Sequence, residues 1–286
     1  MVIGITGATG QLGTRIATQL KAHIGGDDIV GLVRTPAKAT MLGIQARRID
    51  YDDISTLEPA LDGIDMLMLV SSSEIGQREQ QHGNVIRAAK QSGVSRIVYT
   101  SLLRADTSML SVASEHKNTE AAIHASGLDF TILRNGWYTE NYLASAQAAA
   151  ETGILYGVSG STKRSAATRN DYAQAAVAAL VGNGHNGRTY ELAGSKAFTL
   201  PDLAEEIGRQ AGHLVRFVEL AEQDYANLLR GNGIPDQVAT AIASWEATAG
   251  QGALFSESND LQTLIGRPTT SLAQAVADHF AHPVPS

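Results

Sequence analysis

Cysteine is absent from the 286 residues of this chain. That gap excludes disulfides, thiolate catalysis, iron–sulfur clusters and cysteine zinc sites together. No apolar run approaches the roughly 18 residues that a membrane helix requires, so no membrane partner is expected. Positive charge is also scarce: 22 Lys and Arg against 29 Asp and Glu give a net charge of -7. Proteins hold a phosphate backbone through many Lys and Arg contacts, which disfavours nucleic acid as a partner. A basic and then apolar leader is missing too, because Met1-Val2-Ile3 already reads as a strand; a cytoplasmic location is the default expectation. A chain of this length with 43% hydrophobic residues can bury a sizeable core.

What is there begins at residue 2. The apolar run Val2-Ile3-Gly4-Ile5-Thr6 is followed by Gly7-Ala8-Thr9-Gly10-Gln11-Leu12-Gly13, and then by a stretch with helical spacing from Thr14 to Leu20. Glycines let the backbone approach a ligand closely and adopt unusual dihedrals, while the free N–H groups of a helix N-terminus face an anion. Three glycines at this spacing mean little alone. Between a strand and a helix they predict a pyrophosphate cradle.

Further strands are expected at Asp28–Arg34, Gln45–Asp50, Asp65–Val70, Arg96–Thr100 and Asp129–Arg134. Helices are expected at Pro36–Leu42, Gln80–Ser92 and Glu115–Ala125, the last two closed by Gly93 and Gly127. Strands alternating with helices at this spacing predict an α/β fold with a Rossmann-type, doubly wound parallel sheet. Ligands bind such sheets beyond the carboxyl ends of the strands, so the loops after Thr6, Val33, Val70, Thr100 and Leu133 should converge on one crevice. After Thr199-Leu200-Pro201-Asp202 the pattern changes to a short strand at Leu214–Val218 and helices near 223–230, 235–248 and 271–280. The expected division is a dinucleotide-binding domain over 1–195, with 135–168 contributing to the crevice, and a smaller, mostly helical lobe over 196–286.

A carboxylate that binds the adenosine ribose of NAD belongs at the carboxyl end of the second strand. Asp27 and Asp28 lie at about the right count from the glycines but precede that strand, so they read as turn residues. Arg34 ends the strand instead, and Lys38 lies one helical turn further on. A guanidinium suits the additional 2′-phosphate of NADP. NADPH is therefore the expected cofactor.

The usual chemistry that follows such a turn needs Tyr-x-x-x-Lys, in which the lysine and the ribose lower the tyrosine pKa for proton transfer. The residues four places after the eight tyrosines are Ser55, Leu103, Tyr142, Ala146, Gly160, Ala176, Gly194 and Leu229; none is lysine. The helix that should carry the pair offers Ala113-x-x-x-Lys117 or Val112-x-x-x-His116. Alcohol dehydrogenase, epimerase and dehydratase chemistry becomes improbable without that acid. An acceptor whose own electrophilicity drives hydride uptake, such as a quinone or a cationic dye, is compatible with what is left.

The glycine turn, Leu32-Val33-Arg34-Thr35-Pro36-Ala37-Lys38, Ser71-Ser72-Ser73-Glu74, Leu133-Arg134-Asn135-Gly136-Trp137-Tyr138-Thr139-Glu140-Asn141-Tyr142 and Leu264-Ile265-Gly266-Arg267-Pro268 together span essentially the whole chain. The combination resembles the NmrA-like atypical short-chain dehydrogenases, and within them the type-2 NADPH:quinone oxidoreductases, with triphenylmethane reductases as relatives. The resemblance implies that Gly7, Ala8, Thr9, Gly10, Gln11 and Leu12 hold the pyrophosphate. It places the 2′-phosphate at Arg34, with Lys38 beside it. Ser71, Ser72 and Ser73 would lie along the nicotinamide side, while Asn135, Gly136, Trp137, Tyr138, Thr139 and Glu140 wrap the nicotinamide end. Tyr138 and Asn141 are the candidates for substrate contact, and His116 is a candidate proton donor. Neither flavin nor metal is implied, and the histidines, His279 and His282 included, show no ligand spacing. The expected function is hydride transfer from NADPH to a small quinone or similar electrophilic acceptor, with the oligomeric state left open. The alternative is a redox sensor that binds NADP(H) without turnover.

Overall fold

The computed structural model describes residues 1–282. Nine strands form among the described residues: β1 (Ile3–Thr6), β2 (Ile29–Val33), β3 (Gln45–Arg48), β4 (Met66–Leu69), β5 (Arg96–Leu102), β6 (Asp129–Asn135), β7 (Ile154–Gly157), β8 (Arg188–Leu192) and β9 (Arg216–Glu219). Seven of them make one sheet in the order β3-β2-β1-β4-β5-β6-β8, and every pair in it is parallel. Strand order reverses between β1 and β4, which opens a crevice above their carboxyl ends.

The three adjacent strands β2, β1 and β4 are buried throughout. That is why they read as unbroken apolar runs: helices cover both faces of a parallel sheet. On one face the helices Gln11–Ile24 and Arg169–Val181 pack through Ile16, Leu20, Val177 and Leu180. The alanine-rich run at 173–180 does more than favour helix, since Ala173, Ala175, Ala176 and Ala179 are all buried there. On the other face Val85, Ile86 and Ala89 of the helix Arg78–Gln91 and Ile123 of the helix Ala113–Ser126 cover Leu67, Leu69 and Ile97.

A second core joins residues that are distant in sequence. Tyr142, Leu143, Ala146, Ala149 and Leu155 pack with Phe198, Leu200, Leu203, Ile207, Ala275 and Val276. Its small sheet pairs β7 with β9 in parallel, linking Ile154 to Arg216 across 62 residues of chain. Leu261 and Ile265 return to the core of the large sheet. The helix Leu200–Ala211 starts where Thr199-Leu200-Pro201-Asp202 indicates, with a reciprocal capping box between Thr199 and Asp202.

Several boundaries differ from the sequence expectation. Pro36–Leu42 keeps its expected bounds and is a 3-10 helix, whereas β3 ends at Arg48 rather than Asp50. β5 and β6 run on to Leu102 and Asn135, which carries Ser101 and Asn135 to the mouth of the crevice. Two strands, β7 and β8, have no counterpart in the sequence reading. Each is short, at four and five residues, with mixed burial, so neither shows the apolar run that marks the central strands.

Candidate active site

The loop after β1 is shaped by backbone geometry. Gly7 has φ +58°, a left-handed conformation that favours glycine, and a Cβ at Gly13 would lie 2.2 Å from the Gly7 carbonyl oxygen. The N–H of Gly10 donates to the Gly7 carbonyl at 2.8 Å, closing the turn. Gly10 is the N-cap of the helix Gln11–Ile24 and carries no side chain to cap it, so the first N–H groups of that helix are left for a ligand. Thr6 ties the turn to β4, since its hydroxyl accepts from the N–H of Val70 at 2.9 Å.

Above this turn lies a cavity of about 740 Å³, within the range of cofactor sites. Gly7, Thr9, Gly10, Gln11, Leu12, Arg34, Lys38, Ser71, Ser72, Ser73 and Tyr138 line it. A second, smaller cavity of about 270 Å³ adjoins it. Ser71, Ser73, Arg78 and Tyr138 line both. His116, Asn135, Gly136, Trp137 and Asn141 line the second only. The loops after β1, β2, β4, β5 and β6 thus meet along one continuous hollow.

Three residues of the expected set line neither cavity. Ala8 is fully buried under the turn, where its methyl faces Gly31. Thr139 is buried and its N–H donates to the Ala167 carbonyl. The Glu140 carboxylate accepts from the Arg169 N–H at 2.9 Å and pairs with the Arg169 guanidinium at 3.4 Å. That guanidinium lies 4.4 Å from the centre of the Tyr138 ring, so Glu140 reaches the cavity only through Arg169. Asp28 is at the opposite end of the sheet, where its carbonyl accepts from Ile3 at the start of β1.

The floor of the second cavity is a buried polar network. Ser72 donates its N–H to Nε2 of His82 at 3.1 Å, which leaves Nδ1 of the neutral ring to donate to the Thr119 hydroxyl, also at 3.1 Å. Nδ1 of His116 lies 2.8 Å from the Tyr99 hydroxyl. Burial, reinforced by the Arg78 guanidinium, pushes both histidines down to about 3. Burial pushes the Tyr138 hydroxyl the other way, above its ordinary value. Ser101 donates to Glu120 at 2.5 Å, and Glu120 takes two further hydrogen bonds from Arg134, at 2.9 and 2.7 Å. The Arg134 guanidinium is held charged, first by those bonds to Glu120 and then, against its burial, by Glu191. The buried side-chain oxygen of Asn135 has no hydrogen-bond partner among the described residues.

The apolar wall comprises Ile75, Leu102, Val112, Trp137 and Trp245. Trp245 comes from the helix Asp236–Ala249, stands edge to face with Trp137 at 5.6 Å, and donates its Nε1–H to Ser111 at 2.8 Å. Sequence reading missed Trp245, for which no local signal exists, and also Ser101, Arg78 and Arg169. Ser101 lies in the extended end of β5, just past the expected strand boundary. No helix among the described residues is long and apolar enough to cross a membrane, and no group of three His, Asp or Glu side chains among them could hold a metal.

The sequence profile of the NAD(P)H-binding family matches residues 7–182. Quinone oxidoreductase 2 of Escherichia coli is 49% identical over 282 residues, covering 98% of this chain and 99% of that protein. The crystal structure of an Escherichia coli NADPH-dependent quinone oxidoreductase complexed with NADPH superposes with a TM-score of 0.94 at 49% identity, over 98% of this chain and all of that one. The triphenylmethane reductase of Citrobacter sp., complexed with NADP(H), gives 0.94 at 32% identity over 96% and 99% of the two chains.

Proposed function

The chain belongs to the NAD(P)H-binding family, and from that premise we propose that it is an NADPH-dependent quinone oxidoreductase working without flavin or metal. The carrying observation is the pair of adjoining cavities that share Ser71, Ser73, Arg78 and Tyr138, one sized for a dinucleotide and one walled by aromatic and aliphatic side chains. The 49% identity to a quinone oxidoreductase along nearly the whole chain supports the same activity.

The residues present fit NADPH. The uncapped helix start at Gly10 and the close approach at Gly13 suit the pyrophosphate, and Arg34 with Lys38 suits the 2′-phosphate. The unpartnered Asn135 oxygen can accept from the nicotinamide carboxamide, and Gly136, Trp137 and Tyr138 close that end. Thr139 and Glu140 support the site from behind, Glu140 by fixing Arg169 over Tyr138.

NADPH supplies a hydride, and the quinone needs one further proton to leave as hydroquinone. Tyr138 and Asn141 contact the acceptor in this reading. His116 serves as a neutral hydrogen-bonding group rather than an acid, because burial, reinforced by Arg78 and His82, lowers it to about 3 and leaves the ring uncharged near neutrality. Burial keeps the Tyr138 hydroxyl un-ionised, so it can donate a hydrogen bond to the acceptor oxygen. Hydride addition leaves the hydroquinone monoanion, which takes its one proton from solvent, and the protein's share of catalysis is positioning and exclusion of competing geometry. The expected kcat with a simple benzoquinone varies less than about twofold between about pH 5 and 8.5; an inflection near the ordinary histidine value of about 6.5 would assign the proton to His116 instead.

The deciding assay is NADPH oxidation with and without benzoquinones. Tight NADPH binding with no acceptor-dependent turnover would replace the enzyme by a sensor. Trp245→Ala should raise the acceptor KM by about tenfold, the scale of one lost aromatic wall, and leave the NADPH KM within about twofold. Since Trp137 and Trp245 are the chain's two tryptophans, acceptor binding should also quench intrinsic fluorescence. Equal shifts in both KM values would remove Trp245 from the acceptor slot.

A further inference from the structure

We infer that Glu74 sets the degree of cofactor discrimination by competing with the 2′-phosphate for Arg34, an inference that rests on the phosphate-binding role of Arg34. One Glu74 oxygen accepts from the Arg34 guanidinium at 2.9 Å, and the other accepts from Nε2 of Gln81 at 2.7 Å. Gln81 is buried, and its own amide oxygen accepts from the Ser72 hydroxyl at 2.9 Å. The segment around Glu74 is tied down on both sides. The Ser72 carbonyl takes two hydrogen bonds from Arg78, at 3.1 and 2.8 Å, and the Gly76 N–H donates to Glu115 at 2.7 Å. Glu74 is thus placed on Arg34 by an anchored loop and by a buried amide.

The two cofactors meet this arrangement differently. A 2′-phosphate brings close to two negative charges beside Glu74, in a cavity that Asp50 and Asp52 also line. It must either displace Glu74 from Arg34 or share the guanidinium with a like-charged neighbour. A 2′-hydroxyl carries no charge and can donate to the Glu74 carboxylate where it stands. Glu74 therefore weakens NADPH binding relative to NADH and keeps the preference that Arg34 creates below its ceiling.

The test measures NADPH and NADH dissociation constants, by cofactor fluorescence, for the full chain and for Glu74→Gln, Arg34→Ala and the double variant. Glu74→Gln keeps the size of the side chain and removes its charge; with one acceptor oxygen in place of two it can keep the bond from Gln81 and give up the one from Arg34. It should tighten NADPH by about three- to tenfold, the scale of one exposed ion pair plus the relieved repulsion, and leave NADH within about twofold. In the Arg34→Ala background the part of that gain that comes from competition for the guanidinium should vanish, and only the part from relieved repulsion should remain. If Arg34→Ala leaves the NADPH/NADH ratio unchanged, the phosphate role of Arg34 falls and this inference falls with it. If Arg34→Ala lowers the preference but Glu74→Gln fails to raise it, or weakens NADPH by loosening the loop, the role of Glu74 alone is overturned.

Discussion

Replacing Arg34 with alanine should raise the KM for NADPH by about ten- to thirtyfold and leave the KM for NADH within about twofold. A charge-assisted hydrogen bond to a phosphate is worth about 1.5–3 kcal/mol. The lower half of that range applies here because the Arg34 side chain is 73% exposed, so water and salt screen it. The loss should shrink as ionic strength rises. Lys38 lines the same cavity and keeps part of the attraction. Glu74, freed of its partner, adds repulsion against the phosphate but none against NADH. Steady-state kinetics with both cofactors and one fixed benzoquinone read the result directly. A parallel rise in both KM values would mean that Arg34 shapes the cavity without recognising the phosphate.

Acidification from pH 7 to pH 5 should cost the folded state about 4 kcal/mol through two histidines alone, well before any change in fold is visible at neutral pH. His82 and His116 are both pushed down to about 3, chiefly by burial, from an ordinary value of 6.5. Between those values the unfolded chain holds protons that the folded chain refuses, so stability falls as pH falls and is full above about 6.5. Each group contributes about 2 kcal/mol over this interval, out of the 5–15 typical of a domain. The structural reason is specific: protonating Nε2 of His82 would break its bond from the Ser72 N–H and put a cation near Arg78. Urea denaturation at pH 7 and pH 5 measures the difference. His82→Gln should lower stability at pH 7 yet roughly halve its dependence on pH, which a simple packing defect would not do. Equal denaturation midpoints at the two pH values would show that the pair titrates normally.

How much of this was legible in the chain follows from the range of each interaction. The cradle at Gly7–Gly13 could be read because its causes are local: a left-handed glycine, a glycine that a Cβ would push into a carbonyl, and a helix start without a capping side chain. Arg34 could be read because strand and helix alternate, which puts the residue after β2 at the carboxyl edge beside the cradle. The central strands announced themselves by burial on both faces. β8 and β7 did not, because an edge strand and a two-stranded sheet depend on what they pair with more than on their own residues.

The sequence by itself determined the parallel sheet, the dinucleotide turn and the loss of the usual tyrosine acid, all of which depend on neighbours a few residues apart. Only the tertiary structure decided the rest. The apolar slot exists because Trp245 is brought against Trp137, and acid sensitivity is expected because His82 and His116 are buried beside Arg78. The competition inferred for the 2′-phosphate arises because Glu74 reaches Arg34 across 40 residues of chain. Burial, charge and contact between distant segments are properties of the folded chain, and pKa, specificity and the shape of a cavity follow from them.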